Sequence, residues 1–165
     1  MTALDTLKAL KKFIQTEVAE EMKLLKEHTE NEYVHPNVFM MTVPHKNFVP
    51  VDFAVPFILV GLSEGADDGD ENTLNIRIMC STYTSGVYDN ELKLPSEKGY
   101  LDLMNLLERI KLKLTEKAVI NGQGTVTKPI NYGVYTEQLT YPFNYGYLTF
   151  GVQIPINEYP MKEFL

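Results

Sequence analysis

Five carboxylates crowd one short stretch of this chain, Glu64, Asp67, Asp68, Asp70 and Glu71 within SEGADDGDEN. Acids grouped this closely bind calcium when a loop wraps them around the ion. The segment ADDGDENTLNIR lacks both the alternating ligand positions and the closing glutamate of a helix-loop-helix calcium loop. A solvated hairpin tip is therefore the expectation, with Gly65 and Gly69 supplying turn geometry. The five acids stand as a candidate interaction surface, with an adventitious cation site as the alternative reading. Other reactive residue types are dispersed. Cys80 shares a strand face with Ile76 and Ile78 and reads as a buried, inert thiol. His28, His35 and His45 match no short metal-binding spacing. No Gly-x-Ser-x-Gly turn occurs. Gly122-x-Gly124 lacks the Lys-Ser or Lys-Thr of a phosphate loop. No catalytic residue, cofactor or metal is assigned on these grounds, although two acids converging in space leave no trace in spacing.

Charge and composition narrow the classes further. The chain carries 15 Lys+Arg against 22 Asp+Glu, a formal net of -7, the wrong sign for binding nucleic acid through phosphate contacts. Its lysines mostly share helices with acids, as Lys8, Lys11 and Lys12 do with Glu17, Glu20 and Glu21. A single cysteine cannot form an intramolecular disulfide and fits a reducing cytoplasm. No segment approaches the roughly 20 apolar residues of a membrane helix, and the N-terminus lacks the pattern of a signal peptide. Neither a membrane nor a specific nucleic acid is expected as a partner. At 165 residues and 44% hydrophobic, one domain spanning 1–165 is expected.

The elements that position these residues follow from periodicity. Leu4, Leu7, Leu10, Ile14, Val18, Met22 and Leu25 recur at helical spacing, which predicts a helix from about Thr2 to Lys26. HTENEYVHPN reads as a connection to a short strand over Val38–Val43. The segment PHKNFVPVDFAVP, broken by Pro44, Pro50 and Pro56, reads as a loop packed on the domain's own core, or else one that docks on a neighbouring subunit. Thr73–Ser81 alternates as a half-buried strand, with Phe57–Leu62 as its antiparallel partner across the acidic loop. Ser96 and Glu97 signal a second helix running to about Lys117, with Leu103, Leu106, Leu107, Ile110 and Leu114 on one face. NGQGT is a turn, and Val126–Tyr135 is a strand whose Pro129 suits a sheet edge. Leu148, Phe150, Val152, Ile154 and Ile156 alternate in a last strand closed by Pro155 and Pro160, before a short C-terminal tail.

Helix, strands, helix, strands in this order predict an α+β domain: a mostly antiparallel sheet of four to five strands with both amphipathic helices on one face. The other face, with Asn75, Arg77, Met79, Tyr147 and Thr149, is then left to solvent or to another subunit. The aromatics Tyr132, Tyr135, Tyr141, Phe143, Tyr145 and Tyr147 suit sheet packing, a subunit interface or a ligand platform. Interleaved Lys or Arg, which a single-strand binder uses to follow phosphates, is missing.

Three segments, PFILVGLSEGADDGDENTLNIRIMCSTY, GYLDLMNLLERIKLKLTEK and EQLTYPFNYGYLTFGVQIPI, together resemble the tail terminator (tail completion) proteins of long-tailed phages and of prophages in Gram-positive bacteria. The resemblance spans roughly residues 55–156. It implies a small α+β subunit that forms a hexameric ring on the head-proximal end of the tail tube, stops tube polymerisation and provides the head-tail joining surface. The implied partners are other copies of itself, the tail tube protein and a head completion or connector protein. Assembly in the host cytoplasm and residence in the virion follow, with no cofactor and no bond made or broken. On such a ring the grouped carboxylates would form a negative collar, and an acidic lumen would not hold passing DNA. Two alternatives stay open: another small head-tail connector or tail-associated component, and, in a different class, a small cytoplasmic enzyme or ligand-binding domain whose site is assembled from scattered residues.

Overall fold

The computed structural model describes residues 2–45, 52–85, 97–136 and 141–156. The first helix, α1 (Ala3–Glu17), starts at a reciprocal cap: Thr2 Oγ1 accepts the Asp5 N–H and the Asp5 carboxylate accepts the Thr2 N–H. Leu7, Leu10 and Ile14 form its buried face. The helix stops at Glu17, well before the expected Lys26. Val18 leaves helical geometry, Ala19–Glu21 makes one 3-10 turn, and Leu24–Leu25 is strand β1. A distant residue holds the chain in this path. His35 Nδ1 sits 3.1 Å from the Ala19 carbonyl oxygen and 2.7 Å from that of Met22, so its N–H serves carbonyls that a longer helix would have bonded internally.

Strand β1 pairs antiparallel with β2 (Tyr33–Val34) in a small sheet of its own. The main sheet contains β3 (Asn37–Met40), β4 (Phe57–Asp67), β5 (Asn72–Tyr83), β6 (Val119–Ile120), β7 (Gly124–Val134) and β8 (Phe143–Ile154), in the order β3-β4-β5-β8-β7-β6. The expectation of four to five strands is thus corrected to six in a mixed sheet, because β3 runs parallel to β4. The additional strand is β6 at the edge, two residues long and too short for alternation to register in the sequence. The strand expected to reach Val43 ends at Met40, where Met41 turns to a φ of 66°. The second helix, α2 (Lys98–Lys117), joins β5 to β6.

Both helices cover one face of the sheet. Leu74, Ile76, Ile78 and Cys80 of β5 and Leu148, Phe150, Val152 and Ile154 of β8 meet Leu103, Leu106, Leu107, Ile110 and Leu114 of α2 and the buried face of α1. Ile156 falls beyond β8 and is exposed. Helix α1 packs on β3 and β4 and also reaches β6 at the far edge, which requires the sheet to curl.

The opposite face is only partly open. Phe39, Phe57 and Tyr83 point to that side and form a second cluster with Leu25 and Val55, flanked by Leu59, Phe143 and Tyr145. Phe53, Val55 and Pro56 are buried, so the described part of the proline-broken loop packs on its own chain. The expectations resting on Pro50, Ser96 and Pro160 lie outside the described residues. At the other edge, the β7 register slips between Thr127 and Asn131 around Pro129, and β6 pairs only with Gly124 and Thr125. Pro129 therefore removes no donor from a central ladder. The β6–β7 turn uses Asn121 and Gly122 at positive φ, as NGQGT indicated.

Candidate interaction surface

The acidic hairpin joins β4 to β5, and every residue from Ser63 to Glu71 is exposed. Its tip is self-braced. Asp68 Oδ1 accepts the backbone N–H groups of Asp70 (2.9 Å) and Glu71 (2.7 Å), and Asp67 Oδ1 accepts that of Gly69 (3.0 Å). Gly69 has a φ of 90°, where a side chain would be strained. The Glu71 and Asp70 N–H groups favour the ionised form of Asp68 and hold its carboxyl below the ordinary range. Asp67, Asp68, Asp70 and Glu71 are thus brought together, while Glu64 stands apart on β4, opposite Asn75 on the open sheet face. Among the described residues, no group of three or more His, Cys, Asp or Glu is arranged to hold a metal ion.

On that open face Arg77 lies 5.4 Å from the Tyr147 ring centroid and donates to the Tyr135 hydroxyl. The Tyr135 and Tyr147 rings are 5.3 Å apart. Gly133 permits this arrangement: a Cβ there would sit 2.9 Å from the Tyr147 hydroxyl oxygen and 3.0 Å from the ring. Half-buried Met79 and Tyr145 border the group. The aromatics of the last third do not form one platform. Tyr132 faces the helix side under Lys111, 4.4 Å from its centroid, and Phe143 packs with Tyr83 and His28 in the second cluster.

The histidines take separate tasks, His35 at the end of α1 and His28 against Tyr83 and Phe143, while His45 is exposed. Cys80 is fully buried, and burial pushes its thiol far above the ordinary value, as an inert core cysteine should behave.

Two features went unread in the sequence. One is a groove of about 460 Å³ between α1 and the β6–β7 turn, floored by Ala9, Phe13 and Ile120. Lys8, Lys12 and Lys117 line it together with Asp5 and Glu17, and Lys117 Nζ lies 5.3 Å from the Phe13 ring centroid. Lys8 and Lys12 are an i, i+4 pair that α1 places on one side; only the fold brings Lys117 to them. The other is a buried polar knot at the start of α2. Thr82 Oγ1 donates to the Gly99 carbonyl oxygen at 2.6 Å and Asn144 Nδ2 donates to Thr84 Oγ1 at 2.9 Å.

Among the described residues the chain therefore presents an acidic arm, a lysine-lined groove and an Arg-Tyr sheet face. No protein-family model matches this chain, and no curated protein matches it in sequence.

Proposed function

We propose that the chain is a virion-assembly protein of a long-tailed phage or prophage, a tail terminator that caps the head-proximal end of the tail tube as a homo-oligomeric ring. Its partners in this reading are further copies of itself, the tail tube protein and a head completion or connector protein. It acts by binding alone, assembles in the host cytoplasm and stays in the virion. Besides the resemblance of residues 55–156, one structural observation carries the reading: the open half of the sheet holds Arg77, Tyr135 and Tyr147 in a mutually braced group beside Met79 and Tyr145. Tyr, Met and Arg are the residues enriched in protein interfaces. Side chains already fixed by their neighbours lose little freedom on docking, so more of the contact energy survives as affinity.

Light scattering across a concentration series, with and without polymerising tail-tube protein, tests this. A hexamer alone, or a monomer that caps and shortens tubes, is the expected result. A monomer without effect on tube length overturns the proposal and returns attention to a site of scattered residues.

A further inference from the structure

We infer that neighbouring copies join head to tail, the acidic hairpin of one copy entering the lysine-lined groove between α1 and the β6–β7 turn of the next. This rests on the ring reading above and specifies its subunit contact. Each copy gives its hairpin to one neighbour and its groove to another, so the contact is heterologous, and a contact of that kind closes into a ring or runs on as a filament.

Charge makes the pairing. Copies with a formal net of -7 repel one another, so contact is favoured where the local sign is reversed. The groove supplies one: Lys8, Lys12 and Lys117 outnumber its two acids, and Asp5 is already bonded to the Thr2 N–H at the start of α1. The hairpin supplies the opposite sign on a narrow, exposed two-stranded arm. Asp67 and Asp68 hold its turn by their own hydrogen bonds, so the arm presents its charge preformed. With only Ala66 as an apolar residue between Ser63 and Glu71, the contact is chiefly electrostatic. It weakens with salt as exposed pairs are screened, which suits a ring completed on the tube.

The test uses the full chain in sedimentation and tube-capping assays at low and high salt. One set of changes is Lys8→Glu, Lys12→Glu and Lys117→Glu. The other is Glu64→Lys, Asp70→Lys and Glu71→Lys, leaving the bracing Asp67 and Asp68 intact. Each set alone is expected to weaken self-association or capping at least ~10-fold, several exposed pairs being lost and reversed at once. The two sets combined in one chain should recover most of the loss, which a merely misfolded variant cannot do. Should a variant fail to fold, carbodiimide cross-linking of isotope-mixed wild-type chains decides: intermolecular links from Lys8, Lys12 or Lys117 to Asp70 or Glu71 are expected, and their absence from the linked dimer overturns the contact. If wild type assembles and neither set alters it, this contact is wrong while the ring stands. If wild type neither self-associates nor caps tubes, the ring reading falls and this inference with it.

Discussion

The two faces of the β5–β8 ladder obey the same alternation and are held by different forces. On one face Ile76, Ile78, Leu148 and Val152 are fully buried under the helices. On the other, Asn75 and Arg77 remain exposed and Met79, Tyr147 and Thr149 half-buried. Burying an aliphatic side chain stabilises by about 1.5–3 kcal/mol, whereas an exposed cation over an aromatic ring contributes about 0.5–1 kcal/mol. The helix side therefore carries the fold. The open side owes its order to directional contacts among Arg77, Tyr135 and Tyr147, which fix side chains without removing them from reach. A surface built that way can be altered with little loss of stability, and recognition needs that freedom.

Leu106→Ala strikes the helix side where exposure is zero. It should destabilise by about 2–5 kcal/mol, through lost burial and the cavity left behind, read from urea midpoints at unchanged m. Gly99→Ala is the next largest. Alanine ordinarily favours a helix over glycine by about 0.5–1 kcal/mol, but here the new Cβ would lie 2.1 Å from Thr84 Oγ1 and 2.3 Å from Asn144 Nδ2. Those side chains must move and break their bond, so a net loss of about 1–3 kcal/mol is expected. A gain instead would show that the polar knot does not anchor α2 to the sheet.

What the sequence disclosed follows the same division. Alternation in Thr73–Ser81 and Leu148–Ile154, and the apolar face of α2, were legible because burial on one side imposes a period on residue type. The hairpin was legible because turns select Gly and Asp. What stayed hidden depends on contacts between residues far apart in the chain. The helical period runs on through Val18, Met22 and Leu25 because these residues do pack inward or pair in β1, while His35 bonds the carbonyls of Ala19 and Met22 just past the end of α1. Gly99 reads as a poor helix residue until Thr84 and Asn144 are seen against it. Lys117 reads as a solvated helix end until Phe13 and the two lysines of α1 face it across a groove. The five acids sit close together in the sequence, yet register places Glu64 away from the tip, opposite Asn75.

Tyr147→Ala probes the open side. Removing the ring takes away the seat of Arg77 and a neighbour of Tyr135, and stability should fall by only about 1 kcal/mol. Tube capping should fall far more than that, since Arg77 loses its orientation along with the contact area. A variant as destabilised as Leu106→Ala would erase the contrast between the faces.

The smallest expected effects set an aspartate of the helix layer against one of the hairpin. Partial burial on α2 pushes the Asp102 carboxyl above its usual 3.8, with Lys98 opposing. Its contribution is therefore full below the unfolded value and is lost as pH rises through the folded one, so ionised Asp102 is unfavourable at neutral pH. Asp68 has the opposite sign: its lowered value contributes stability above the usual 3.8 that is lost as pH falls through the folded value. Asp102→Asn should thus stabilise slightly at pH 7, by less than about 1 kcal/mol given solvent screening. Asp68→Asn, which keeps an oxygen to accept the two N–H groups, should destabilise there. Both differences from wild type should shrink toward zero as a urea series is taken into acid, because protonation removes what separates each aspartate from asparagine. Equal signs at pH 7 would mean that backbone donors and burial act alike on these two carboxyls, contrary to the geometry that holds Asp68 between two N–H groups and Asp102 half out of water.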